Sequence, residues 1–157
     1  MKPAQIVLIG VGSHSFGLMT VRDLMQCPEL RGSHLELVDI AEDKLDLMTR
    51  LVYRLNDTWE ADFKFTSTTD RCEVLPDADI VVVAIEQRRY EMWRLDIEVP
   101  IKHGTKNLYG ENGGPGGAFH TFRQVPPTLE IARDMERLCP NAWLINMAIQ
   151  KAVYAWH

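Results

Sequence analysis

Apolar residues along the chain alternate between short continuous runs and longer stripes with three- or four-residue spacing. The continuous runs cover residues 6–9, 35–38, 80–85 and 142–145, and a weaker alternating segment covers residues 62–66. Uninterrupted apolar runs of this length are typical of parallel strands that are buried on both faces. The pattern therefore predicts five strands of a mostly parallel sheet.

Helical stripes separate these runs, and each places its apolar side chains on one helix face. The three stripes are Leu18, Val21 and Met25; Leu45, Met48, Leu51, Val52 and Leu55; and Ile131, Met135 and Leu138. Asp70 is a predicted N-cap for a short turn over residues 71–75. Strands that alternate with helices predict an α/β fold with a doubly wound sheet, which binds ligands at the carboxyl ends of its strands.

Composition and charge narrow the possible functions. The chain has 157 residues and a formal net charge of -5, and its Lys and Arg residues are dispersed, which argues against a nucleic-acid or anionic-membrane partner. No stretch approaches the roughly 18 apolar residues of a membrane span, and the N-terminus lacks a signal-peptide pattern, so we expect a cytoplasmic protein. Cys27, Cys72 and Cys139 form no C-x-x-C pair and are expected to be buried thiols in a reducing compartment.

A glycine-containing turn follows the first predicted strand. In Gly10-Val11-Gly12-Ser13-His14-Ser15-Phe16-Gly17, Gly10 would permit a tight turn and Gly12 would let the backbone approach a pyrophosphate at the start of the next helix. The usual third glycine would fall at Ser15, whereas here it falls at Gly17. His14 could lean over the phosphates or face solvent.

Asp39 follows the second strand, where a carboxylate can bind both ribose hydroxyls of an adenosine and disfavours a 2'-phosphate. This position predicts NAD in preference to NADP. Two alternatives remain open: Asp39 could cap the helix that begins near Glu42, and the glycines could serve only a tight connection.

A second glycine-rich segment covers residues 104–117, the longest stretch that we predict to be irregular. Residues 109–123 within and beyond it combine glycines with the polar side chains of Glu111, Asn112 and Arg123. Such a loop suits backbone approach to a ligand near the nicotinamide position, although a purely structural loop is the alternative.

Several motifs together resemble the NAD-dependent glycosidases of glycoside hydrolase family 4. They are the Gly-x-Gly-Ser turn, Asp96-x-x-Val-Pro100, the Gly-Pro-Gly-Gly segment followed by Arg123 and Pro126, and Cys-Pro-Asn-Ala-Trp-Leu-Ile-Asn at residues 139–146. The resemblance is to the N-terminal portion of the alpha-glucosidase, alpha-galactosidase, 6-phospho-glucosidase and alpha-galacturonidase types.

The resemblance implies a Rossmann-like NAD-binding domain over residues 1–148, truncated before the family's C-terminal catalytic domain. Residues 149–157 then form an atypical tail, because Ile149-Gln150 stands where the family has the second Asn and the Pro of an Asn-x-x-Asn-Pro turn. The family's metal-binding Cys and His and its base Tyr come later than this chain extends, so no catalytic residue and no metal ligand is assigned.

What the resemblance implies for chemistry is a redox-assisted elimination. Bound NAD takes a hydride from C3 of the sugar, a base removes the acidified C2 proton, and the glycosidic oxygen leaves C1. Water then adds and the hydride returns. A divalent metal, usually manganese, would stabilise the C2–C3 enediolate.

Site residues carry over by their positions in the family's motifs. The implied cofactor-binding residues are Gly10, Gly12, Ser13, His14, Asp39, Ile85, Glu86 and Asn146. The implied substrate-binding residues are Glu111, Asn112, Arg123 and Asn146. For Glu86 and Glu111 a solvated surface carboxylate is the alternative, and Arg123 could simply pair with a neighbouring acid.

The partner implied by these residues is a small sugar or glycoside, and we also expect a homo-oligomer, because a truncated sheet exposes apolar surface. Two other functions stay open. One is a non-catalytic NAD-binding module, and the other is a fragment of a 2-hydroxyacid dehydrogenase of the lactate and malate type.

Overall fold

The computed structural model describes residues 2–13, 16–105 and 114–148, which contain five strands and four α-helices. The strands are β1 (Gln5–Ile9), β2 (His34–Val38), β3 (Lys64–Thr68), β4 (Ile80–Val83) and β5 (Trp143–Asn146). The helices are α1 (Gly17–Met25), α2 (Glu42–Trp59), α3 (Arg89–Lys102) and α4 (Gly114–Leu138). Short 3-10 turns lie at Pro28–Leu30 and Arg71–Glu73.

All five strands are parallel, in the order β3-β2-β1-β4-β5. The chain moves outward from β1 through α1 to β2 and through α2 to β3, and then returns to place β4 on the opposite side of β1. The prediction of a doubly wound α/β fold is confirmed. The reversal of strand order creates a topological switch point between the carboxyl ends of β1 and β4, the usual ligand position in such sheets.

The chain forms two compact units, which are described separately. The first unit consists of Met1–Ile85 and Ala132–Met147 and contains the whole sheet with α1 and α2, while the second contains Glu86–Ile131 and therefore α3 and most of α4.

The hydrophobic core of the first unit joins β1, β2 and β3 to α1 and α2. Leu8 and Leu37 from the strands and Val21 and Val52 from the helices have no exposed surface. The first predicted helical stripe is wrong at one position, because Leu18 is 40% exposed at the first turn of α1. Burial of the other residues follows the predicted faces, since each approaches the sheet at helical spacing.

The observed strand boundaries differ from the predicted ones by one or two residues, with the two-residue differences at β3 and β4. β3 begins at Lys64 instead of residue 62, because Asp62 has a left-handed backbone with φ of 60° and the amide of Phe63 donates to the Asn56 side chain at 3.0 Å. β4 ends at Val83, two residues earlier than predicted. The Asp70 cap is confirmed, since its side chain accepts a hydrogen bond of 2.8 Å from the Cys72 amide.

The prediction of an irregular segment through residue 117 is wrong for its last four residues, because α4 already begins at Gly114. Pro115 is tolerated there, since the first helical turn has no internal partner for its amides. Further along, α4 contains Pro126 and Pro127, and the hydroxyl of Thr128 donates to the Gln124 carbonyl at 2.9 Å. Glycine and proline content alone therefore overestimated the loop.

The cysteines are free thiols, but only Cys139 is buried, while Cys27 and Cys72 are half-buried. The expectation of three buried thiols is thus wrong for two of them. Within the part of the chain that the structure describes, no helix has both the length and the hydropathy needed to cross a bilayer.

The closest backbone approach in the first unit occurs at Gly17, where a Cβ would overlap the carbonyl oxygen of Val11. Replacing Gly17 by Ala should therefore lower the free energy of unfolding by about 2 kcal/mol or more, because backbone atoms cannot yield as a flexible side chain can. Chemical denaturation of the purified chain measures this loss. Met19→Ala on the same helix, at a side chain 51% exposed, is the control and should change stability by less than about 0.5 kcal/mol.

Candidate functional site

The turn after β1 requires glycine at its first position. Gly10 has a left-handed backbone with φ of 90°, and its amide donates to the Val38 carbonyl at 2.8 Å. A Cβ at this position would lie 2.6 Å from the carbonyl oxygen of Ala84, just beyond the end of β4. The turn therefore passes tightly between the ends of β2 and β4 only because Gly10 has no side chain.

Gly12 and Asp39 are joined directly. The amide of Gly12 donates to Asp39 Oδ2 at 2.8 Å, and a Cβ at Gly12 would lie 2.8 Å from both Asp39 Oδ2 and the Cβ of Lys44. The second glycine is therefore required by the carboxylate that follows β2. This contact brings the turn and the predicted ribose-binding residue together.

The carboxylate of Asp39 is half-buried and orders two loops. In addition to the Gly12 amide, it accepts a hydrogen bond of 2.9 Å from the Ala41 amide through Oδ1. The N-cap position of α2 is Ala41, with no side-chain cap, so Asp39 is not the N-cap residue of that helix. A carboxylate has about four lone-pair sites, so each oxygen can still accept from a hydroxyl of a ligand.

Gly17 performs the third function that this kind of turn needs. Its amide donates to the Ser13 carbonyl at 3.0 Å, and its missing side chain allows α1 to start against the Val11 carbonyl. The third glycine of a dinucleotide turn serves close packing of the helix, and Gly17, despite its late position, lets α1 pack closely against the turn at Val11. Ser13 also accepts a 3.4 Å hydrogen bond from the Phe16 amide through its hydroxyl.

Ile85 lies two residues after the end of β4, and Asn146 is the last residue of β5, both in the first unit. Val83 and Asn146 are partners in the parallel register of these two strands, and the amide of Met147 donates to the Val83 carbonyl at 2.8 Å. Ile85 is half-buried directly after Ala84, whose amide continues the pairing with β1 by donating to the Ile9 carbonyl at 2.8 Å. Three predicted cofactor or substrate residues, His14, Glu111 and Asn112, lie outside the described residues.

In the second unit, the guanidinium of Arg123 on α4 pairs with the carboxylate of Asp96 on α3. Arg123 Nη1 donates to Asp96 Oδ1 at 2.9 Å, and Nη2 contacts Oδ2 in the parallel position. The Asp96 side chain is 4% exposed and that of Arg123 is 20% exposed. Gly116 permits this packing, since a Cβ there would overlap the Asp96 carbonyl oxygen. Arg123 thus does pair with a neighbouring acid.

Glu86 belongs to the same group of side chains. Its Oε1 accepts a hydrogen bond of 2.5 Å from the amide nitrogen of Gln124 and lies 3.8 Å from Nδ1 of His120. Burial raises the pKa of Glu86 above its ordinary value, although His120, Gln124, Arg89 and Arg123 all act to lower it. The alternative of a solvated surface carboxylate therefore does not describe Glu86.

His120, Gln124 and Asp96 are the members of this group that the motif analysis left without a role. His120, Arg123 and Gln124 lie at three- and four-residue spacing, so they share one face of α4. This spacing predicts a shared face only if residues 120–124 are helical. The sequence analysis treated residues 109–123 as a loop, so the spacing was not recognised as a helix face.

Metal ligation has no basis in the described part of the chain, where no three His, Cys, Asp or Glu side chains are grouped closely enough to hold an ion. We therefore assign a divalent metal to none of the described residues and derive no step through one.

A parallel sheet with a glycine turn after β1, a carboxylate after β2 and a switch point beside β4 defines a protein of the dinucleotide-binding class. Comparison with known proteins narrows this class. The sequence model of the family described as family 4 glycosyl hydrolase matches residues 5–156. The chain therefore belongs to that family. The resemblance inferred from the motifs is thereby confirmed.

Two curated relatives illustrate the range of the family. An alpha-glucosidase of Erwinia rhapontici is 39% identical over 143 residues, which cover 90% of this chain and 32% of the relative. A 6-phospho-beta-glucosidase of Escherichia coli (strain K12) is 35% identical over 157 residues, covering 96% of this chain and 34% of the relative. The chain thus spans about a third of the length of these relatives.

A solved structure supports the same assignment. The 6-phospho-beta glucosidase of Thermotoga maritima, in a structure with NAD and glucose-6-phosphate, superposes with a TM-score of 0.79 at 25% identity and covers 94% of this chain and 34% of that one. The matched region is the N-terminal part of the longer enzymes, as the motifs implied.

The Asp96–Arg123 pair should contribute more to stability than an exposed pair of the same kind. Replacing Asp96 by Asn leaves a largely buried guanidinium without its counter-charge, which we expect to cost about 2 kcal/mol, below the full cost for completely buried pairs because Arg123 is partly exposed. Urea unfolding of the purified chain, followed by circular dichroism, measures the difference.

Glu91→Gln is the matched control, since Glu91 pairs with Arg88 on the same helix but both side chains are more than half exposed. This change should cost less than about 1 kcal/mol. Equal losses in the two variants would contradict the role given to burial.

Proposed function

We propose that this chain is the NAD-binding part of a glycosidase that depends on NAD and a divalent metal, and that the complete enzyme cleaves a glycosidic bond by transient oxidation at C3, elimination and addition of water. The observation that carries this proposal is the direct hydrogen bond from the Gly12 amide to the Asp39 carboxylate beside the Gly10 turn. Family membership supplies the reaction class.

The first unit contains the groups that would hold the dinucleotide. Gly10 and Gly12 have no side chains and would let the pyrophosphate approach the turn ahead of α1, although their amides donate to Val38 and Asp39. Ser13 would add its hydroxyl, while its amide donates to the Gly10 carbonyl. Asp39 would accept hydrogen bonds from both hydroxyls of the adenosine ribose, and its negative charge opposes a 2'-phosphate. We propose NAD as the cofactor and include His14, Ile85, Glu86 and Asn146 among its contacts.

When bound, NAD would accept a hydride from C3 of the sugar and later return it. The residues proposed to bind the sugar are Glu111, Asn112, Arg123 and Asn146. For Arg123, pairing with Asp96 supports a guanidinium held in one orientation, whose N–H groups not used by Asp96 would donate to a sugar hydroxyl. We propose manganese or another divalent cation for the complete enzyme, held by residues outside this chain.

Self-association in the cytoplasm is proposed for this chain as well. The edge strand β5 exposes Trp143 by 77%, Leu144 by 41% and Ile145 by 45%, although its apolar sequence is that of a strand covered on both faces. Apolar surface of this kind favours association in water.

A non-catalytic NAD-binding module is the second candidate, and one observation favours it for this chain taken alone: the chain spans about a third of the length of its relatives. Both candidates predict NAD binding, and only turnover separates them. We do not propose a 2-hydroxyacid dehydrogenase, because the chain belongs to a glycosidase family and no separate observation favours the dehydrogenase.

Asp39 provides the test of cofactor binding. We expect NAD to bind the purified chain more tightly than NADP, and Asp39→Asn to weaken NAD binding by about tenfold, because a hydrogen bond to a charged acceptor contributes about 1.5–3 kcal/mol. Isothermal titration calorimetry measures both. Asp43→Asn, which removes the same charge from the first turn of α2, is the control and should leave the affinity unchanged.

Turnover is tested on the complete gene product with NAD, manganese and a panel of aryl glycosides, with and without a 6-phosphate. We expect release of the aryl alcohol and incorporation of deuterium at C2 of the product in heavy water, since elimination exchanges that proton with solvent. The chain of 157 residues is assayed alongside. Absence of cleavage by the complete protein with every substrate, despite NAD binding, would favour the non-catalytic module.

A further inference from the structure

The polar cluster of the second unit has an exposed layer and a buried layer. Glu86 and Arg123 have side chains that are 15% and 20% exposed, respectively. His120 and Gln124 are each 1% exposed. Gln124 contacts Glu86, and His120 lies close to both Glu86 and Arg123. The two fully buried residues therefore lie against two charged side chains that keep some exposed surface.

The contacts of Gln124 determine how the Glu86 carboxylate is held. Its amide nitrogen donates to Glu86 Oε1 at 2.5 Å, which orients the amide so that its own oxygen points elsewhere. That amide oxygen is buried without a hydrogen-bond partner among the described residues. An unsatisfied buried acceptor typically lowers the free energy of unfolding by about 1–3 kcal/mol. The hydrogen bond from the Gln124 amide nitrogen to Glu86 is therefore kept at the expense of the amide oxygen.

His120 connects the same carboxylate to Arg123. Its Nδ1 lies 3.4 Å from Arg123 Nη2 and 3.8 Å from Glu86 Oε1, while its Nε2 is buried without a partner in the described part of the chain. The imidazole thus separates a carboxylate from a guanidinium that already pairs with Asp96.

We propose that His120 and Gln124 are positioning residues, which hold the Glu86 carboxylate and the Arg123 guanidinium from the buried side of the cluster in the orientation in which these two groups hydrogen-bond a hydroxyl-bearing ligand. The proposal rests on the function proposed above, in which Glu86 and Arg123 contact cofactor and sugar. It adds two residues to the site and gives a reason for the buried polar atoms on α4.

The ionisation of Glu86 reports on this arrangement. Burial raises its pKa, whereas His120, the hydrogen bond from Gln124, Arg89 and Arg123 all act to lower it. Asp96 acts on the cluster through Arg123. Removing either positioning side chain should therefore raise the pKa of Glu86 further and keep its carboxyl protonated to a higher pH.

The first experiment measures that pKa by carbon-13 NMR of glutamate carboxyls in the purified chain, with Glu86→Gln used to assign the signal. Gln124→Met and His120→Phe should both raise the pKa above that of the wild type. His120→Asn, which can place a polar nitrogen near the position of Nδ1, should return it part of the way. Gln87→Met, the same change at an exposed neighbour, should leave it unaltered.

The second experiment measures affinity by calorimetry with NAD alone and then with NAD and methyl α-D-glucopyranoside. Gln124→Met should weaken binding about fivefold to tenfold, as Glu86→Gln does, and the double variant should be no weaker than Glu86→Gln, because both changes remove one interaction. A loss seen with NAD alone assigns the hydroxyls to the cofactor, and a loss confined to the glucoside assigns them to the sugar.

An unchanged Glu86 pKa in folded Gln124→Met and His120→Phe would overturn the proposal, as would additive losses of affinity in the double variant. Should these variants fail to fold, Gln124→Asn, which keeps an amide but withdraws it from Glu86, decides by the same pKa criterion. If the wild type binds no NAD at all, the proposed function fails, while the NMR titration still decides whether His120 and Gln124 hold Glu86.

Discussion

The first unit depends on one close approach of backbone at the switch point of the sheet. Gly10 passes within contact distance of the Ala84 carbonyl, and two residues later the Gly12 amide donates to the Asp39 carboxylate. The ends of β1, β2 and β4 are thereby drawn to one place. Any side chain at either glycine would push the turn outward and separate the carboxylate from it. The same tight turn therefore holds the carboxyl ends of these strands together and leaves space for a dinucleotide beside them.

The second unit is organised around charged side chains that are largely buried. Asp96 and Arg123 neutralise each other, and Gln124 and His120 supply polar contacts to Glu86. Buried charges are retained only when they are paired and hydrogen-bonded. Here the pairing leaves three polar atoms without partners in the described residues, on His120, Arg123 and Gln124. That cost is understandable where fixed charges serve a ligand.

Sequence patterns predicted the first unit well because its signals are local. The apolar runs, the glycine turn, Asp39 and the Asp70 cap each depend on a few neighbouring residues, and membership of the glycosidase family was legible from short motifs. Prediction was poorer for the start of α4, because Gly114, Pro115, Gly116 and Gly117 are of residue types that are ordinarily unfavourable in helices. The assignment of Arg123 could not be decided either, since its partner Asp96 lies 27 residues away.

By itself, the sequence determined the doubly wound α/β fold class and the positions of the glycine turn after β1 and of the carboxylate after β2. Hydrophobic period and glycine conformation are properties of the local chain, so these features are visible without the tertiary structure. Only the tertiary structure decided that Gly17 packs on Val11, that Arg123 pairs with Asp96, and that His120 and Gln124 stand behind Glu86. These are contacts between segments distant in the chain or between faces of a helix. Their geometry exists only once the elements have packed.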